Sequence, residues 1–134
     1  MKLTVVLAAT AALAFASPAT AQDAPQSIVS IYHVAPGHQV AFLKWMARQD
    51  AISAAAGVPA SKLYVHTDGD SWDYVLIGPV LTDAQDEAVG KAARAAGVNP
   101  MKGGMQLRQH LASHTDTYPI GPVSAADYLK MIGE

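Results

Sequence analysis

The stretch Ser27–Val34, SIVSIYHV, limits what this 134-residue chain can become more than any other. Its β-branched and aromatic residues make it a strand, and alternation puts Ile28, Ser30, Tyr32 and Val34 on one face with Val29, Ile31 and His33 on the other. Both faces carry apolar side chains. A sheet built around such a strand needs cover on both sides, because a soluble monomer rarely leaves a contiguous apolar face in water. Helices of the same chain can supply one cover. The other must come from a second copy or from the chain's own terminal segment.

The segments that follow provide the helices. Pro36 suits a first helical turn, and Gln39–Ala56 carries Val40, Leu43, Met46 or Ala47, and Asp50 or Ala51 at helical spacing until Gly57 stops it, with Trp45 and Ile52 widening the apolar surface. Lys62–Thr67 and Trp72–Gly78 read as two strands of a hairpin around Asp68-Gly69-Asp70-Ser71. Thr82 and Gln85 match a capping box for a second helix that ends at Gly97, with Ala84, Ala88, Ala92 and Ala95 or Ala96 as its buried stripe. Beyond Gly103-Gly104, Met105–Ser113 is expected as a long fourth strand. Ser124 and Asp127 then cap a short terminal helix bearing Tyr128, Leu129 and Ile132. The order β-α-β-β-α-β plus a helical tail predicts an α+β domain over residues 27–134, with an antiparallel sheet and both crossing helices on one face.

With this order in place, IVSIYHVAPGHQVAFLKWM, LYVHTDGDSWDYVLIGP and MQLRQHLASHTDT together resemble the dimeric ferredoxin-like α/β-barrel superfamily. The resemblance covers most of the chain beyond its first segment and rests on element order and apolar placement. It implies a homodimer whose two sheets form a barrel, and a cavity for a small molecule between helices and sheet or within that barrel. The superfamily includes antibiotic-biosynthesis-type monooxygenases, haem-degrading and haem-peroxidase-like members, polyketide cyclases, stress-responsive barrels and ligand-binding domains. A pocket follows from the resemblance more directly than any one reaction.

The N-terminus carries an address. Lys2 precedes an apolar run from Leu3 to Ala16, and Ala19-Thr20-Ala21 offers a cleavage site, so residues 1–21 read as a secretory signal and 22–26 as a flexible mature N-terminus. The apolar run is shorter than the roughly 20 residues of a membrane span, so no stable membrane insertion is expected after cleavage. A periplasmic or secreted location follows. The chain has no cysteine, so stability must come from packing even in an oxidising compartment. Nine Lys and Arg stand against eleven Asp and Glu without a basic cluster, which argues against nucleic acid as a partner.

Chemistry-bearing residues concentrate near the expected fourth strand. Alternation there puts Arg108, His110 and His114 on the barrel side and Met105, Leu107, Leu111 and Ser113 against the helices, unless a bulge near Ala112-Ser113 changes the parity. Four strand residues span about 13 Å, so a regular strand keeps His110 and His114 from sharing a metal unless a bulge or the chain's exit shortens that distance. His110 and His114 are the candidate proton-transfer residues, with Asp116 orienting one imidazole. The structural alternative makes them an interfacial and a surface histidine, and Asp116-Thr117 an Asx-type turn.

Trp72, Tyr74 and Tyr32 are candidates for stacking on an aromatic or conjugated ligand, with His66 beside the hairpin. Arg108 or Asn99 would stabilise developing oxygen charge. Asp68, Asp70 and Asp73 lack the twelve-residue calcium loop, and neither zinc spacing nor a nucleotide or nucleophile motif occurs. No resident metal or cofactor is expected. Three functions fit these residues: a cofactor-independent monooxygenase or related enzyme acting on a small, partly apolar molecule, a non-catalytic small-ligand-binding domain, and a structural or stress-related homodimer.

Overall fold

In the computed structural model, residues 26–69 and 71–134 are described. Residues 1–21, expected to be a secretory signal, and most of the segment expected to be a flexible N-terminus lie outside these residues. Gln26, expected in that loose segment, instead forms an antiparallel bridge with Ile120. The elements run β1 (Ser27–Val34), α1 (Gln39–Ala55), β2 (Lys62–Val65), β3 (Tyr74–Pro79), α2 (Asp83–Ala95), a 3-10 turn (Pro100–Lys102), α3 (Gly103–Arg108), β4 (Leu111–Thr117) and α4 (Ala125–Met131). The sheet order is β2-β3-β1-β4, antiparallel throughout. The most apolar strand, β1, takes a central place, as burial on both faces requires.

The main core lies between α1 and the sheet. Tyr32, Val34, Phe42, Met46 and Tyr74 are buried there, with Trp45, Leu76, Leu107 and Leu111 packed around them. The helix buries Phe42, Met46 and Ile52, whereas Val40 and Leu43 face water. Phe42 sets this rotation, because its ring fills the slot between Tyr32 and Tyr74, with centroids 5.2 Å from each. α2 starts as its sequence requires: Gln85 N donates to Thr82 Oγ1 and Thr82 N donates to Gln85 Oε1. Its buried contact comes from Ala93, with Val89 and Ala92 partly buried beside Ile52 and Val98. Ala84, Ala95 and Ala96 are exposed, so the stripe turns from its expected direction toward α1.

The segment expected to be one long strand divides in two. Asn99 accepts a hydrogen bond from Met101 N at 3.0 Å, Pro100 fixes the first turn, and Gly103–Arg108 continues as helix before β4 begins at Leu111. Met105, Gln106, Leu107 and Arg108 are good helix formers without β-branching, so local preference agrees with this outcome. Leu107 then reaches the core from a helix.

The hairpin is also shorter than expected, and Trp72 lies outside β3. Asp73 ties that end of the sheet together: its Oδ2 accepts from Val34 N at 2.7 Å, while its own N donates to Tyr32 O. This carboxylate therefore holds backbone. Asp68 likewise accepts from Gly69 N within the turn.

The sheet face away from the helices carries Val29, Ile31, Val75, Ile77 and Tyr64. Pro119, Ile120, Gly121 and Pro122 form a cleft with Val29, Tyr64 and Ile77 over part of it. α4 begins at Ser124, whose Oγ accepts from Asp127 N at 3.1 Å, yet Tyr128, Leu129 and Ile132 remain about half exposed. Among the described residues, no helix is long and apolar enough to cross a membrane.

Candidate functional site

Strand pairing brings together a polar group that the sequence divides between residues 30–32 and 114–116. Tyr32 and Val34 pack on α1, so their face of β1 is the helix-facing one. Directly opposed residues of neighbouring strands share a face. Tyr74 and His114 lie opposite Tyr32, while Leu76 and Asp116 lie opposite Ser30. Ser30, Tyr32, His114 and Asp116 thus form two adjacent rows on the helix-facing side. Ser30 is the member that the sequence reading missed, although it shares the parity of Tyr32.

A bulge produces this arrangement. Val34 pairs with Leu111 and His33 with Ser113, leaving Ala112 as the extra residue. A regular strand would put Leu111 and His114 on opposite faces. The bulge lets Leu111 enter the core while His114 reaches the same side, correcting the expectation that His114 faces away from the helices.

His114 stacks on Tyr32 with ring centroids 6.2 Å apart and an interplanar angle of 19°. Asp116 Oδ2 is 3.7 Å from His114 Nε2, longer than a hydrogen bond but within ion-pair reach of a protonated imidazole. The two side chains are 30% and 40% exposed, so solutes can reach them. Tyr32 is buried. Burial raises its hydroxyl pKa above the ordinary tyrosine value, the Ser30 hydrogen bond opposes that rise, and the Asp116 charge adds to it. These three side chains therefore combine a buried phenol with an accessible imidazole and carboxylate.

This gives a measurable sign. A folded-state pKa above the unfolded value means that Tyr32 supports folding fully below the ordinary tyrosine pKa of about 10, and that this support disappears as pH rises through the folded value. Phenolate absorbance should show one late-titrating tyrosine in the native chain, missing in Tyr32→Phe. An unchanged alkaline titration in that variant would remove Tyr32 from this assignment.

The other predicted site residues lie outside this group, and of them His66 and Trp72 meet in the hairpin. His110 precedes β4, with its N donating to Leu107 O and its O accepting from Ala35 N. Its ring lies 5.9 Å from that of His38. Trp72 packs its ring 5.0 Å from His66 in the hairpin, while Tyr74 is buried against Phe42. Trp72 and Tyr74 consequently make no paired aromatic clamp. Asn99 is used as a cap, and Arg108 ends α3 on an exposed surface rather than a strand. Among the described residues, no group of three His, Cys, Asp or Glu is placed to hold a metal ion.

The chain matches no protein-family model and no curated protein. Its structure is similar to a mutant form of SnoaB from Streptomyces nogalater, described as a cofactor-independent oxygenase, at 19% identity over 76% of this chain and 97% of that one, with a TM-score of 0.51. It is also similar to Rv0793 from Mycobacterium tuberculosis at 15% identity over 75% and 98% of the two chains, with a TM-score of 0.52. The corresponding values for PA3566 from Pseudomonas aeruginosa are 16%, 75%, 96% and 0.51. At these identities the likeness concerns the fold. The chain is a ferredoxin-like α+β domain, with sheet order β2-β3-β1-β4.

Proposed function

We propose that the helix-facing side of β1 and β4 binds a small, partly apolar molecule and moves a proton there, as part of a cofactor-independent monooxygenase reaction. The observation that carries this reading is the accessible His114–Asp116 pair beside the buried Tyr32 hydroxyl. His114 accepts a proton from an activated methylene of a conjugated substrate. Asp116 favours the resulting imidazolium, and Tyr32, kept neutral, donates to the oxygen on which substrate charge collects. Dioxygen is the co-reactant: the methylene becomes a carbonyl, one oxygen atom enters the product and the other leaves as water with the two methylene hydrogens. The substrate supplies all the electrons. The oxygenase described among the structurally similar proteins supports this reaction class over simple binding.

The test is oxygen uptake by the full chain with conjugated ketones bearing an activated methylene. Saturable uptake that yields the corresponding carbonyl product supports the proposal. Saturable binding without uptake replaces it with the ligand-binding reading, and neither response overturns both.

We further infer that this exported domain, in the periplasm or outside the cell, works as a homodimer. Val29, Ile31, Val75, Ile77 and Tyr64 give it an apolar sheet face opposite the helices, which a second copy would cover. Sedimentation of the wild-type full chain should give about twice the 14.0 kDa subunit mass, and Ile31→Asp should shift it to one subunit mass. A wild-type monomer at micromolar concentration would overturn this inference.

A further inference from the structure

The strap of chain between β4 and α4 closes one end of the sheet face that points away from the helices. Ser27 N donates to Pro119 O at 3.1 Å and Gln26 bridges Ile120, so the strap stays bound to the start of β1. Gly121 then takes a φ of +139°, which favours glycine, and Pro122 comes to line a common cleft with Lys62 of β2. The cleft beneath the strap has a volume of about 320 Å³, at the lower end of the range for small-molecule sites.

Strand register explains its lining. Lys62 pairs with Ile77 and Ile77 with Val29, and directly opposed residues share a face, so these three form one row across β2, β3 and β1. Pro119, Ile120 and Pro122 form the facing wall. Tyr64 has the parity of Lys62 and lines the cleft beside it. The walls are therefore apolar apart from two hydroxyls, of Ser27 and Tyr64, and one charge.

That charge selects the occupant. Among the described residues, no Asp or Glu lines the cleft and Lys62 makes no ion pair, although acids outnumber bases in the chain. β2 is an edge strand, where a lysine also discourages pairing with another chain. That role needs no apolar cleft. A lysine stem can lie along apolar walls while its ammonium stays at the mouth, which suits a ligand with an apolar body and one anionic head.

We propose that this cleft binds a small apolar carboxylate, its body between the Ile77–Val29 row and the strap and its head on the Lys62 ammonium. It lies on the sheet face opposite His114 and does not depend on the reaction proposed there. The homodimer inference assigns the surrounding face to a second copy, so the test separates the two occupants.

The probes are octanoate and octanol, titrated into the full chain while its amide resonances are followed. Octanoate should shift the Tyr64, Ile77, Ile120 and Gly121 amides saturably. Lys62→Met should weaken octanoate at least fivefold and leave octanol within about twofold, Lys62→Arg should keep octanoate within about threefold, and His114→Ala should not change it. Unmoved cleft amides would overturn the proposal, as would an equal loss of octanoate and octanol in Lys62→Met. Cleft amides that respond to dilution of the protein but not to octanoate would give the space to a second copy and overturn it too.

Discussion

Phe42→Ala is expected to destabilise the domain by about 3–5 kcal/mol, because it removes a fully buried ring and leaves a cavity that its neighbours cannot fill. Phe42 contacts Tyr32 and Tyr74 on adjacent strands with centroids at 5.2 Å, so one truncation also loses two aromatic contacts. A domain of this size has only about 5–15 kcal/mol of stability, so the loss takes a large share of the total. Urea unfolding followed by circular dichroism measures it directly. Phe42→Leu keeps most of the volume and should cost less. If Phe42→Ala shifted stability by under about 1 kcal/mol, the central slot between β1 and β3 would not be the core's anchor.

The second large effect concerns chemistry. His114→Ala should lower substrate-dependent oxygen uptake by about 10²–10⁴-fold, the usual contribution of a positioned general base. Asp116→Asn should cause a smaller loss, because its carboxylate favours the imidazolium without contacting the proton that moves. Both side chains are partly exposed, so the variants should retain most of their folding stability. This separates a catalytic loss from unfolding. Uptake unchanged by His114→Ala would remove the imidazole from the proposed reaction.

The two effects meet at Tyr32. Its ring holds Phe42 on one side and stacks with His114 on the other, linking the packed core to the accessible polar group. Tyr32→Phe should therefore preserve much of the packing while removing the hydroxyl.

Much of the architecture was legible along the chain because its signals are local. The eight residues of β1 announce themselves by composition and alternation, α2 by its Thr82–Gln85 cap, and α4 by Ser124. Local preference could also have revealed α3, since Met105–Arg108 lacks the β-branched residues of a strand. Alternation alone favoured the wrong element there. Trp45 and His38 share a helical face by their spacing, but no spacing indicates that the Trp45 indole Nε1 finds no hydrogen-bond partner among the described residues.

The sequence by itself determined the order of elements, the need to cover β1 on both faces, and the presence of His114, Asp116 and Tyr32 among the candidate residues. Tertiary structure decided which of those candidates meet. A bulge at Ala112 turned His114 and Leu111 to one side, and the β1–β4 register set His114 opposite Tyr32 and Asp116 opposite Ser30. The same folding used Asn99 as a cap, packed Trp72 against His66 and stacked Tyr74 on Phe42. Register and bulges depend on contacts between segments about eighty residues apart, and that energy is absent from either segment read alone.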